Sequence, residues 1–188
     1  REWIQASSSL QVAVNISPQQ FFAPEFVSLV LRTLTESGLA PESLELEITE
    51  GTVMQDVERA KKVMGALINE GIRFTLDDFG TGYSSLSHIR TLPISGFKID
   101  KSFIDDMVNN RETQAIVSML VHLARELDLE LTVEGVETQK QLDILLEIHP
   151  LVLIQGYYFS KPVPPPGFAR FLQKQLEGSN PFIDELVT

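Results

Sequence analysis

Six short runs of apolar and β-branched residues recur along the chain, and longer segments with helical spacing separate them. Within those longer segments apolar residues return at i, i+3, i+4 and i+7, which is typical of amphipathic helices. Strands that alternate with helices predict a parallel sheet covered by helices. The predicted strands are 10–16, 44–49, 73–79, 97–100, 129–136 and 151–157.

Two architectures fit this alternation, a doubly wound sheet and a closed barrel. A doubly wound nucleotide fold would show a glycine-rich phosphate loop after its first strand, and neither GxGxxG nor GxxxxGK[ST] occurs in the sequence. The barrel is therefore favoured. A (β/α)₈ barrel needs eight units and at least about 200 residues, so six units in 188 residues predict an α/β fold, a TIM-type (β/α)₈ barrel truncated to about six βα units.

The same count predicts the domain organisation. We expect residues 1–176 to form one domain that lacks its N-terminal strand or strands and a helix. Residues 177–188, which are polar and broken by Asn180-Pro181, are expected to form a C-terminal tail or linker.

Charge and composition exclude several classes of function. The net charge is −11, from 26 acidic and 15 basic residues, which argues against DNA as a partner. A phosphate-bearing substrate would then need metal ions or a few local cations. The absence of cysteine excludes disulfide scaffolds and thiol nucleophiles. No apolar run reaches the ~18 residues of a membrane span, so we expect a cytoplasmic domain whose parent protein could still be membrane-anchored.

Polar side chains stand at or near the carboxyl ends of the predicted strands. In a parallel barrel these ends share one rim, which is where the active sites of this architecture are found. Six segments distant in sequence would thus deliver amide, carboxylate and ammonium groups to one mouth. The residues are Asn15, Glu47, Asp77, Asp78, Lys98, Asp100, Glu134 and Gln155.

Each of these residues also has a structural interpretation. Asn15 could cap a helix beginning near Ser17-Pro18, the aspartates could form turns or caps, and Lys98 could be a snorkelling or ion-paired lysine. Several carboxylates in one place are costly unless cations compensate them. Mg²⁺ or Mn²⁺ with oxygen ligands is the simplest compensation, and adjacent aspartates suit two ions ~3.5 to 4 Å apart.

Six motifs in this sequence resemble, in order and approximate spacing, those of the EAL-domain phosphodiesterases. That family hydrolyses cyclic di-GMP to linear pGpG on a modified TIM barrel. The resemblance extends from about residue 10 to residue 172. The motifs are VNISPQQF, LELEITE, DDFGTGYSSL, FKIDKSFI, VEGVET and QGYYFSKPVP.

The resemblance implies a role for each candidate residue. It implies two divalent ions, Mg²⁺ or Mn²⁺, a homodimer, and additional sensory or GGDEF domains in the parent protein. The implied metal ligands are Asn15, Glu47, Asp77, Asp78 and Glu134. The implied catalytic residues are Lys98, which assists the attacking water, Glu50, which anchors the loop after Asp78, and Asp100. Gln155 and Glu137 are implied substrate-binding residues. The loop implied to couple the site to the dimer interface contains Phe79, Gly80, Thr81, Gly82, Tyr83, Ser84 and Ser85.

The sequence departs from the family pattern in one respect that matters for catalysis. The Glu-Ala-Leu motif, whose glutamate is a metal ligand in the family, and the arginine shortly after it do not occur in this chain. Both belong to the units that the repeat count finds missing. We therefore expect phosphodiesterase activity in the intact protein and little or none in this fragment alone. Alternative interpretations are a non-catalytic cyclic di-GMP receptor or a dimerising signalling module.

Overall fold

One parallel sheet organises the chain. The computed structural model describes residues 10–80, 89–149 and 152–176. Its six strands pair in sequence order, each parallel to the next, and the sheet curls into a half-barrel, which confirms the predicted α/β, TIM-barrel-like class. The strands are β1 (Val12–Asn15), β2 (Leu44–Thr49), β3 (Arg73–Phe79), β4 (Gly96–Ile99), β5 (Glu130–Val133) and β6 (Leu153–Ile154).

Helices connect successive strands, as the apolar spacing predicts. Within the described ranges they are α1 (Pro18–Phe21), α2 (Phe26–Ser37), α3 (Glu50–Gln55), α4 (Val57–Ile68), α5 (Lys101–Met107), α6 (Arg111–Glu126), α7 (Gln139–Ile148) and α8 (Pro165–Leu176). A 3₁₀ turn spans Pro41–Ser43. None of the helices in these ranges combines the length and the apolar character needed to cross a bilayer.

Three of the helices, α1, α3 and α5, are too short for a periodic apolar pattern to reveal. Each begins within three residues of the end of a strand and is started by a capping side chain, Ser17, Thr49 or Asp100. The capping interpretation of Asn15 is therefore wrong, because Ser17 is the N-cap of α1. The predicted fourth strand also ends one residue early, at Ile99, because Asp100 caps α5.

Period-two alternation gives the strands an apolar side and a polar side. On β2, Leu46 and Ile48 are buried in the hydrophobic core, whereas Glu47 between them faces the opposite side. On β4, Phe97 belongs to the core and Lys98 meets Glu47 across the sheet. The apolar side packs under the helices, and the polar side is left to form a site.

The last two strands are shorter than their apolar runs predict. β5 stops at Val133, and Gly135 two residues later has φ 73°, a left-handed conformation that ends the extended chain. After β6 the backbone packs closely at Gly156, where a Cβ atom would lie 2.0 Å from the Val136 carbonyl oxygen. The chain therefore turns where the sequence alone predicts a continuing strand. The predicted tail, 177–188, lies outside the described residues.

Candidate metal centre

Lys98, on β4, lies at the centre of a cluster of carboxylates that three other segments supply. Its Nζ is 3.0 Å from Glu47 Oε2, 3.5 Å from Asp77 Oδ1 and 2.5 Å from Glu134 Oε1. Lys98 and Glu47 are only 7% and 9% exposed. The structure thus brings together, at the carboxyl edge of the sheet, residues that are up to 87 positions apart in the chain.

The register of the sheet explains how these side chains meet. Glu47 lies opposite Thr75 on β3, and Thr49 lies opposite Asp77, so Asp77 is one side-chain repeat further toward the carboxyl edge. In a regular strand Asp77 and Asp78 would point to opposite faces. The β3–β4 register shifts between Leu76 and Phe79, and Asp78 has φ 54°. This irregularity keeps Asp78 electrostatically coupled to Asp77 and Glu134.

The amide of Asn15 completes the cluster at the end of β1. One terminal atom of this amide lies 3.1 Å from Asp77 Oδ2 and 3.3 Å from Glu47 Oε2. This atom is the amide nitrogen, because in that orientation it donates to both carboxylates. Asn15 therefore joins the cluster as a hydrogen-bond donor to two of its carboxylates.

The electrostatics of the cluster reflect crowded negative charge. Burial alone would lower the pKa of Lys98, but its hydrogen bonds to Glu134 and Glu47 outweigh that effect and raise it. Burial raises the pKa of Glu47, although Lys98 partly offsets the shift. Burial and the neighbouring charge of Asp77 also raise the pKa of Asp78. One ammonium does not balance these carboxylates, so an added cation would be stabilised here.

The donor atoms fit a hard divalent cation. They are carboxylate and amide oxygens, which are the ligands that Mg²⁺, Mn²⁺ and Ca²⁺ take in proteins. In the described part of the chain, no group of three or more Asp, Glu, His or Cys side chains is already arranged to hold a metal ion. The Lys98 ammonium stands where the carboxylates would otherwise converge, so cation binding would require Lys98 to shift or to share them.

Glu50 is placed differently from the cluster. It lies in the first turn of α3, is 4% exposed, and its Oε2 accepts a hydrogen bond from the Gly80 amide at 3.4 Å. Gly80 has φ 94°, and the ring of Phe79 packs against Phe97 at 4.8 Å between centroids. Glu50 thus holds the backbone at Gly80, two residues after Asp78. Thr81, Gly82, Tyr83, Ser84 and Ser85 lie outside the described residues.

The remaining candidates lie around the cluster. Asp100 accepts from the Ser102 amide at 3.0 Å as the cap of α5, and Glu137 forms an ion pair with Lys101. Glu134, Glu137 and Gln155 line a cavity of about 690 Å³ beside the cluster. Glu134 belongs to both the cavity wall and the Lys98 cluster, so the cavity adjoins the cluster.

Gln141 is a residue that sequence reasoning missed. Its Oε1 accepts from the amides of Glu137 and Thr138 at 2.8 and 2.9 Å, and its Nε2 donates to the Ile104 carbonyl at 3.3 Å. It therefore ties the loop that carries Glu134 and Glu137 to helix α5. The signal was present as the T-x-x-Q capping box at the start of α7.

Comparison with known proteins fixes the family. The sequence pattern of the EAL domain matches residues 1–162. The chain belongs to the EAL domain family. This EAL domain is 38% identical over 164 residues to the cyclic di-GMP phosphodiesterase NbdA of Pseudomonas aeruginosa, covering 87% of this chain and 21% of NbdA.

Solved structures give the same assignment. The PaMucR phosphodiesterase in complex with c-di-GMP superposes with a TM-score of 0.84 at 36% identity, over 89% of this EAL domain and 68% of that chain. Klebsiella pneumoniae BlrP1, in complexes with calcium or manganese and cyclic di-GMP, gives a TM-score of 0.75 at 32% identity, over 81% of this chain and 39% of its own. The EAL domain spans about a fifth of the length of the curated relatives it matches.

Proposed function

We propose that the intact protein to which this EAL domain belongs hydrolyses one phosphodiester bond of cyclic di-GMP and so produces linear pGpG, and that the 188-residue chain alone has little or no activity. The observation that carries the proposal is the carboxylate cluster around Lys98, whose oxygen donors suit divalent cations beside a cavity large enough for a nucleotide. The names of its relatives, a cyclic di-GMP phosphodiesterase and a phosphodiesterase bound to c-di-GMP, support this substrate.

The proposed metal ligands for two ions, Mg²⁺ or Mn²⁺, are Asn15, Glu47, Asp77, Asp78 and Glu134. When bound, two such ions would neutralise the phosphate and lower the pKa of a nucleophilic water. The acidic domain would then accept an anionic substrate, because the cations reverse the local sign of charge.

Lys98 acts in this proposal as a hydrogen-bond donor beside the ions, after it has shifted or come to share its carboxylates with them. Its ammonium has three N–H bonds and contacts carboxylates on both sides of the site. In hydrolysis a water oxygen bonds to phosphorus, the bond to the sugar oxygen breaks, and that oxygen takes up a proton. Lys98 would orient the water and stabilise the negative charge that develops on the phosphoryl oxygens. Gln155 and Glu137 would contact the substrate from the cavity, and Asp100 would hold α5 beside it.

The Glu50 contact supports a regulatory part of the proposal. Glu50 fixes the Gly80 backbone two residues after Asp78, so movement of the loop that begins at Phe79 would move a proposed ligand. We include in the proposal a homodimer that acts on the site through this loop, and sensory or GGDEF domains elsewhere in the parent protein.

Turnover of cyclic di-GMP by the full-length gene product tests the proposal. With Mg²⁺ or Mn²⁺ we expect pGpG to accumulate, detected by reverse-phase chromatography, and we expect EDTA to stop its formation. Glu47→Gln should lower kcat by about 100-fold or more, because it removes a charged ligand. A folded protein that gives no pGpG with either ion would contradict the proposal, and tight binding without turnover would indicate a receptor instead.

A further inference from the structure

The cavity beside the cluster has walls that the hydrolytic chemistry does not use. Glu134 and Gln155 line it next to the cluster, and Tyr157, Lys161, Phe168 and other side chains line the remainder. Its volume of about 690 Å³ is typical of a pocket that encloses a small organic ligand. The apolar wall continues from α8, since Phe168 belongs to that helix.

Two neighbouring tyrosines differ in their surroundings. Tyr158 donates its hydroxyl hydrogen bond to Gln139 and packs edge-on against Phe159, with centroids 5.3 Å apart. Tyr157 is 57% exposed and lines the cavity. A large aromatic ring exposed at a cavity offers a flat stacking surface, and each base of a nucleotide has a flat π face to place on it.

Lys161 stands next to that ring. Its Nζ lies 6.0 Å from the Tyr157 ring centroid, which is the outer limit of a cation–π contact. The four-carbon stem of Lys161 is flexible and long enough for the ammonium to reach the edge of a base stacked on Tyr157. Lys101, which also lines the cavity, is already paired with Glu137. Its stem lies so close to Gly135 that a Cβ atom there would be 2.3 Å from Lys101 Cγ.

The chemistry of this pair selects one kind of base. Guanine presents two acceptors, N7 and O6, on one edge, whereas adenine presents an amino donor in place of O6. An ammonium only donates, so it matches the guanine edge and opposes the adenine amino group. We propose that Tyr157 and Lys161 form a guanine subsite in which the base stacks on Tyr157 and Lys161 donates to O6 and N7. This inference rests on the proposed function, because it assigns the base specificity of the same site.

Equilibrium binding of cyclic di-GMP and cyclic di-AMP to the full-length gene product tests the subsite. Isothermal titration calorimetry is run in Ca²⁺, the ion present with cyclic di-GMP in one BlrP1 structure, so that the site keeps a cation, and chromatography checks that no pGpG forms during the titration. The variants are Tyr157→Ala, Tyr157→Phe, Lys161→Met and Lys161→Arg. Lys62→Met is the matched control, since Lys62 is an exposed lysine on α4 outside the cavity. Thermal melts confirm that each variant folds.

The two residues should give different signatures. Tyr157→Ala should weaken the binding of both dinucleotides about tenfold, and Tyr157→Phe should restore it, because stacking accepts any base. Lys161→Met should lower the preference for cyclic di-GMP over cyclic di-AMP about tenfold, and Lys161→Arg should keep it, because a guanidinium also reads N7 and O6. Lys62→Met should change neither.

The outcomes separate this inference from the proposed function. A wild-type protein that binds and hydrolyses cyclic di-GMP, with Tyr157→Ala and Lys161→Met variants that bind it equally well, would overturn the subsite and leave the phosphodiesterase intact. A wild-type protein that neither binds nor hydrolyses cyclic di-GMP would overturn both.

Discussion

The two sides of the curled sheet serve opposite purposes. On the helix-covered side, Leu46 and Phe97 are almost completely buried, and removing apolar surface from water stabilises the fold. On the other side, Glu47 and Lys98, their immediate neighbours in sequence, are buried as charges. Ion pairs of this kind are weak contributors to stability because desolvation offsets their attraction. Along one strand, therefore, an apolar side chain that stabilises the fold is followed directly by a buried charge that contributes little or no stability.

The largest expected effect comes from removing the central cation of the polar side. Lys98→Met leaves Glu47, Asp77 and Glu134 without the ammonium they share, and breaking a buried pair in this way costs about 3 to 5 kcal/mol of unfolding free energy. Urea unfolding in EDTA measures it. Added Mg²⁺ or Mn²⁺ should restore part of the loss, whereas pGpG formation should remain undetectable. An unchanged unfolding free energy would show that Lys98 does not hold the cluster together.

A substitution on the apolar side should affect stability without affecting the chemistry. Leu46→Ala leaves a cavity in the core and should cost about 3 kcal/mol, measured by the same unfolding experiment. The kcat per folded molecule should stay near the wild-type value. A large fall in kcat would mean that the two sides are not separable.

Glu47→Gln, one residue further along β2, should do the opposite of Leu46→Ala: it should remove most of the activity without lowering stability. Burial raises the pKa of Glu47, so ionising this carboxyl costs stability in the metal-free fold, and that cost is present once the pH exceeds its folded-state pKa. The amide variant should therefore melt at or above the wild-type temperature at pH 7 in EDTA while losing activity. The difference should disappear as the pH falls toward the ordinary glutamate value of 4.5. A lower melting temperature at pH 7 would contradict this.

A smaller effect on the free energy of unfolding is expected in the loop between β5 and α7. Gln141→Leu removes acceptors for the Glu137 and Thr138 amides and should cost about 2 kcal/mol, since buried polar groups lose their partners. Hydrogen exchange at these two amides should accelerate more than exchange in β2. Thr138→Ser, which keeps the capping hydroxyl, is the control. Uniform acceleration across the domain would indicate a general loss of stability instead.

The smallest effect should come from an exposed pair close to the site. Lys101 and Glu137 remain largely solvent-accessible, with side chains 45% and 40% exposed, and such pairs add little stability. Lys101→Met should leave the melting temperature within experimental scatter. A clear fall would mean that the ion pair with Glu137 contributes more than its exposure indicates, because methionine keeps the stem that packs on Gly135.

The fold was largely predictable because its signals are local. Apolar spacing located four of the longer helices, α2, α4, α6 and α7. Gly38 ends α2 in the left-handed conformation that its position predicts. The short helices α1, α3 and α5 escaped detection because one or two turns cannot display a period. The excess length predicted for β6 has a tertiary cause, the close packing of Gly156 on Val136.

The site was predictable as a set of residues and not as an arrangement. The strand ends identified Asn15, Glu47 and Lys98 as candidates, because parallel strands end at a common edge. The sequence did not indicate that Lys98 contacts three carboxylates at once, nor that Tyr157 and Lys161 lie together beside them. The Lys98 contacts join residues from different strands, so their distances depend on register and curl, whereas the Tyr157–Lys161 contact depends on the irregular fold of the segment after β6.

The sequence by itself determined the alternation of strands and helices and the alternation of apolar and charged residues within each strand. Both follow from the fixed periods of the helix and the strand, which act over a few residues. Only the tertiary structure decided which charges share Lys98. The deciding features are the inter-strand register, the irregularity between Leu76 and Phe79, and the left-handed conformation of Asp78. These features set distances of a few ångströms between residues far apart in the chain, and electrostatic energy depends on those distances.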